Sequence, residues 1–156
     1  MRPIEVDVVI AAPPETVWRI VSDVRDAARH VPAIASIEIL DGPAEGVGMR
    51  WRETRVMFGR AATEILEIAA WDPPESYVAT ASSHGMRYRS RVSVARAAGG
   101  ARLAFTFESQ GVTRAARIAS TLLAPMMRHA VKKAFRADLA ALKTRCEAEA
   151  DARATR

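Results

Sequence analysis

Cysteine, histidine and glycine are scarce in this 156-residue chain, which has one cysteine, three histidines and eight glycines. The lone Cys146 cannot build a disulfide framework or a cysteine-rich metal centre, and it fits a reducing compartment such as the cytoplasm. His30, His84 and His129 lie far apart, and none stands in an HxxxH or HExxH spacing, so no metal site is expected. No serine occupies a GxSxG elbow, which removes support for a nucleophilic hydrolase, and no cofactor is implied. Long hydrophobic runs are missing too. No stretch approaches the ~20 apolar residues of a membrane span, and "MRPIEVDVVIAAPPE" carries charges where a secretory leader needs an apolar stretch. A soluble, unsecreted protein is the expectation.

Acidic residues are outnumbered 18 to 23, for a formal net charge of +5. The excess is mostly arginine, spread from Arg19 to Arg156 with no basic block, which argues against a DNA-binding protein. Repeats, low-complexity tracts and linkers are absent. One domain over residues 1–148 is expected, with "EADARATR" at 149–156 as a frayed tail.

In "IEVDVVI", Ile4, Val6, Val8 and Ile10 recur at period two, the mark of a half-buried strand. Pro13 and Pro14 cannot continue its ladder but suit the first turn of a helix, where Glu15 meets the positive end of the dipole. Val17, Trp18 and Val21 form that helix's buried side. Asp23 is placed to cap a second short helix that ends near "HVP".

Residues 34–110 then read as six strands with short turns, hence an antiparallel meander. Met86, Tyr88, Ser90, Val92 and Val94 oppose Arg87, Arg89 and Arg91, and Leu103, Phe105 and Phe107 oppose Arg102, Thr106 and Glu108. One face is covered and the other wet. The cover is a long helix over 114–148, whose inward stripe at 100° per residue holds Ala124, Met127, Arg128, Val131, Phe135, Leu139, Leu142 and Cys146. Ile118 and Leu122 fall off the stripe, which predicts a break between Leu123 and Ala124 ahead of Pro125.

"APPETVWRIVSD", "EIAAWDPPESY", "AGGARLAFTFE" and "DLAALKTRCE", in this order and spacing, resemble the bacterial polyketide cyclase/dehydrase branch of the START-like (SRPBCC) superfamily. The resemblance implies an α+β helix-grip fold of the Bet v 1 type. A seven-stranded antiparallel sheet would wrap the C-terminal helix, with two short helices between strands 1 and 2 beside the mouth of a cavity.

In "MRWRETRVMFGR", turning Met49, Trp51 and Met57 inward also turns Glu53 and Arg55 inward. Such a pair could orient the polar group of an otherwise apolar ligand, with Arg55 on a carboxylate or enolate oxygen and Glu53 taking a proton. It could equally be a structural salt bridge, or be turned outward by a bulge near Gly59. Tyr88 and Ser90 could bond a ligand carbonyl, while Tyr88 could also serve a neighbouring backbone group.

Trp51, Met57, Phe105, Met127, Val131 and Phe135 are expected cavity lining, and Arg128 a rim residue able to snorkel to water. His30, near the mouth, merits testing as an acid or base. The first expectation is a binding module for a small apolar molecule such as a lipid, isoprenoid or polyketide. The alternative is an aromatase/cyclase-like enzyme with Glu53, Arg55 and Tyr88 as candidate catalytic residues. A protein using its outward arginines (50, 52, 87, 89, 91 and 102) on RNA or a membrane ranks last, because aromatic residues that stack bases are missing from that face.

Overall fold

The computed structural model describes residues 2–156. Strand β1 (Ile4–Ile10) buries the face bearing Ile4, Val6 and Ile10, as its alternation predicts. Its partner is the last strand, β7 (Gly100–Gly111), with Ile4 opposite Phe107 and Ile10 opposite Ala101. Strands β2 (Ile34–Ile39), β3 (Arg50–Met57), β4 (Arg60–Asp72), β5 (Ser76–Ser83) and β6 (Met86–Ala97) follow as hairpins. The sheet runs β1-β7-β6-β5-β4-β3-β2, antiparallel throughout.

Between β1 and β2 the chain makes helix α1 (Pro14–Val21), a 3-10 turn (Val24–Asp26) and helix α2 (Ala27–His30). Pro13 takes the N-cap position of α1 and Pro14 the first helical one, so the missing amides are ones the helix leaves unpaired anyway. Asp23 stands at the N-cap of the 3-10 turn, but its side chain makes no capping bond, contrary to expectation. Trp18 packs its ring 5.4 Å from Trp71 and 6.3 Å from Tyr77, which fastens α1 to β4 and β5.

Gly100 makes the junction between β1 and the β6–β7 turn possible. A Cβ there would stand 2.1 Å from the Ile10 carbonyl oxygen, and the backbone φ of 148° is one that other residues rarely adopt. No other side chain fits.

Helix α3 (Arg114–Ala154) begins at Thr113, whose hydroxyl accepts from the Ala116 amide at 3.1 Å. It differs from the sequence reading in two ways. The predicted break at Leu123–Ala124 does not occur, because α3 passes through Pro125 as one helix. Pro125 deprives the ladder of one N–H, but the Thr121 carbonyl that it leaves free belongs to an exposed residue that water can satisfy. At the other end the helix continues beyond 148, where a frayed tail was expected. Glu149 accepts from Arg19 of α1 at 3.1 Å and from Arg145 and Arg153 on its own helix.

The main core joins Ile10 and Val17 to Leu103 of β7 and to Leu139, Leu142 and Cys146 of α3. A second cluster, Val24, Met49, Trp51, Ile68 and Ala79, sits under the short helices. Between the two the concave face of the sheet is not filled. Leu139 is 2% exposed and holds α3 on the sheet. Leu139→Ala should therefore lower unfolding free energy by ~2–5 kcal/mol, read from urea denaturation.

Candidate functional site

A cavity of about 450 Å³ lies between the inner face of the sheet and α3. The short helices wall one end with Ile20, Val21, Val24, Val31 and His30, so the segment expected at the mouth does border the space. Strand β3 contributes Trp51, Glu53, Arg55 and Met57 to the lining. Tyr88, Ser90 and Phe105 enter from β6 and β7, and Met127, Val131 and Phe135 from α3.

Of the side chains expected at the cavity, Arg128 alone is elsewhere. It lies on the inward side of α3, but its length carries the guanidinium out to the carbonyls of Arg2 and Pro3, at 2.7 and 2.9 Å.

The expected inward placement of Glu53 and Arg55 rests on an unbroken β3–β4 register. Glu53 pairs with Glu64, Arg55 with Ala62 and Met57 with Arg60, and no bulge interrupts them. Phe58 and Gly59, with φ of 53° and 74°, form the two-residue turn, so the twist is absorbed at the tip rather than within the strand. The acid and base therefore keep the cavity face.

They do not form a simple pair. Arg55 donates through Nε to Glu53 Oε1 at 2.6 Å and through Nη1 to Asp138 Oδ2 at 2.8 Å, while Trp51 Nε1 donates to Glu53 Oε2 at 3.1 Å. Asp138, on α3, is 3% exposed and was not among the predicted residues. Its signal was an acid beside Leu139, one turn before Leu142, on the helix's buried side. Glu64 was also missed: it lies opposite Glu53, lines the cavity and accepts from the Ser83 hydroxyl at 2.7 Å. Three carboxylate residues thus line the cavity, and the five N–H donors of the Arg55 guanidinium are only partly used.

Burial pushes the Asp138 carboxyl above its ordinary value, and the Arg55 charge opposes that push without cancelling it. The guanidinium itself is held charged: its two carboxylate partners outweigh the burial that disfavours its cation. Tyr77, unpredicted, reaches the cavity and donates to the Val21 carbonyl at 3.3 Å, and its phenol is pushed well above its usual range by burial. Tyr88 stacks on Phe107 at 5.9 Å, and burial raises its phenol as well.

Burial, followed by the Arg145 charge, lowers the His30 imidazole below its ordinary value. Cys146 is buried and its thiol is pushed up to about 11, mainly by desolvation, which fits a packing role. His84 sits exposed at the β5–β6 turn and His129 exposed on the outer side of α3.

The outward arginines do not make a uniformly positive sheet. Arg102 pairs with Asp7 at 2.9 Å and Arg50 with Glu67 at 3.8 Å, while Arg52 pairs with Glu38. Among the described residues no helix is long and apolar enough to cross a membrane.

A family model described as polyketide cyclase / dehydrase and lipid transport matches residues 1–147. No curated protein matches the sequence. Among solved structures, the protein TTHA0849 of Thermus thermophilus is similar with a TM-score of 0.77 at 21% identity. That alignment covers 95% of this chain and 99% of the other. The ZhuI aromatase/cyclase of Streptomyces sp. R1128 gives 0.72 at 19% identity, over 94% and 93%. A START superfamily protein of Mycobacterium smegmatis gives 0.70 at 18%, over 93% and 97%. These likenesses carry the helix-grip fold.

Removing the Arg55 guanidinium strands two carboxylates in a poorly hydrated space. Arg55→Met should cost ~3–5 kcal/mol, whereas the same change combined with Glu53→Gln and Asp138→Asn should cost much less, because no charge is then left unpaired. Chemical denaturation of the two proteins checks the difference.

Proposed function

Because the chain belongs to the polyketide cyclase/dehydrase and lipid transport family, we propose that its cavity binds a small, largely apolar molecule with a neutral oxygen-bearing end. The observation that carries this reading is the contrast within the lining. Apolar side chains make most of the wall, and the polar groups gather around Arg55. Its volume of about 450 Å³ falls within the ~300–1,000 Å³ of pockets that enclose a small molecule. Apolar contact, at ~25 cal/mol per Å² removed from water, supplies most of the affinity, and the polar group fixes which end enters.

Charge narrows the ligand class. Glu53 and Asp138 already hold the Arg55 guanidinium and Glu64 also lines the cavity, so a ligand carboxylate at Arg55 would add like charge to an acidic wall. A keto or hydroxyl oxygen meets no such repulsion and can use the N–H donors of Arg55 that Glu53 and Asp138 leave free. This favours a polyketide-like or isoprenoid molecule over a free fatty acid and, of the carboxylate and enolate oxygens expected at Arg55, it favours the enolate.

A second reading, an aromatase/cyclase-like enzyme, is favoured by Asp138. A buried carboxyl with a raised pKa beside a guanidinium can pass a proton while Arg55 polarises a carbonyl towards its enol. The cavity would then hold a reactive chain in a folded, water-poor conformation.

Native mass spectrometry and solvent extraction of the protein from its own host should recover a neutral apolar compound. An empty cavity under those conditions, together with no uptake of supplied polyketide or isoprenoid probes, would refute the binding reading. For the enzyme reading, turnover of a poly-β-ketone should fall at least ~100-fold in Asp138→Asn while the probe still binds. Unchanged turnover would reject Asp138 as the proton carrier.

A further inference from the structure

The outer side of α3 contains a surface that the cavity does not explain. Ile118, Leu122 and Met126 recur every four residues and are 64, 77 and 65% exposed, with Leu123 and Met127 beside them at 48 and 45%. Such a stripe is uncommon on water-facing helix, where polar residues are the rule. The next turns on the same side are basic. His129, Lys132, Lys133 and Arg136 surround a shallow depression of about 150 Å³.

From Ser109 to Ala137 the sequence holds Arg114, Arg117, Arg128, Lys132, Lys133 and Arg136 and no acidic residue. Among the described residues none of those six forms an ion pair with a carboxylate.

The β3–β4 turn adds an apolar point. Phe58 is 68% exposed and takes a φ of 53°, a strained backbone for a bulky side chain. Its neighbour Met57 lines the cavity, and so does Met127 of α3, itself nearly half exposed. The cavity therefore has a border at which its lining passes into exposed apolar surface.

We propose that the first half of α3, with the Phe58 tip, docks on an anionic lipid bilayer. Ile118, Leu122, Met126 and Phe58 enter the boundary between headgroups and acyl chains, and the basic turns hold lipid phosphates, with the depression at His129–Arg136 sized for one headgroup. Charge complementarity selects this partner. A second copy of the chain meeting the same face would set unpaired cations against cations, and RNA would leave the apolar stripe without a role. The surface stands independently of what the cavity holds, so the test below does not depend on finding a ligand.

The full chain should float with vesicles of equal parts phosphatidylglycerol and phosphatidylcholine but not with phosphatidylcholine alone, and binding should weaken as salt is raised. Leu122→Asp with Met126→Asp, and separately Lys132→Glu with Lys133→Glu, should each reduce binding at least about tenfold, with circular dichroism unchanged. These side chains are on the surface, so the fold is expected to survive. No flotation with anionic vesicles, or equal flotation of wild type and both variants, would overturn the proposal. A dimer that Leu122→Asp dissociates, in a protein that ignores vesicles, would overturn it in favour of a second copy. RNA retention lost in Lys132→Glu and kept in Leu122→Asp, again without vesicle binding, would overturn it in favour of nucleic acid.

Discussion

One guanidinium held between two carboxylates connects the far side of the sheet to the helix, and the cavity depends on it. Elsewhere α3 is packed directly against β1 and β7 through apolar side chains such as Leu139 and Leu142. Across the open concavity, Arg55 of β3 spans the gap to Asp138. Two apolar walls facing one another gain dispersion energy by closing up, so an unfilled space persists only where something holds the walls apart. A long charged side chain with fixed partners does that, because collapse would break its charge-assisted hydrogen bonds to Glu53 and to the buried Asp138.

The same cluster gives the cavity its polarity. Trp51 and Arg55 hold Glu53 by both oxygens, and Ser83 holds Glu64, so the acidic side chains keep fixed orientations rather than following the ligand. A rigid polar end with an adaptable apolar remainder suits molecules that share a headgroup and differ in their chains. Fold likeness below 25% identity does not choose among the chemistries that related domains perform, so function rests on this arrangement of side chains.

Much of the fold was readable because its signals were local. Four apolar residues at period two marked β1, a pair of prolines opened α1, and short turns rich in glycine or proline separated the later strands. The inward placement of Glu53 and Arg55 followed from Trp51 and Met57 by the same period, since a regular strand cannot turn residues 51 and 57 inward and leave the alternate positions between them outside. Glu64 was reachable from the same hairpin, because a two-residue turn at Phe58–Gly59 sets it opposite Glu53. Asp138 escaped because it required two elements at once. On its own helix it reads as an interruption of an apolar stripe, and only Arg55, 83 residues away, explains it. Arg128 was legible in its backbone position and in its freedom to snorkel, but its partners, the carbonyls of Arg2 and Pro3, lie 126 and 125 residues away and left no local signal. Pro125 was over-read as a break, since a proline inside a helix removes one hydrogen bond and crowds the carbonyl four residues before it without having to end the helix.

The pairing of β1 with β7 sets an order of events on the ribosome. Strands β2 to β7 can form by successive local hairpins, but Ile4 has no strand to join until Phe107 has been made. Through most of synthesis the first strand is an apolar segment with unpaired backbone groups, open to the wrong partner. Closing that long loop costs chain entropy before any contact returns it, and no other strand pairing in the sheet spans as much of the chain. The last strand made also provides the seat for α3, so the first and last parts of the chain are secured together and the cavity acquires its walls only at that point.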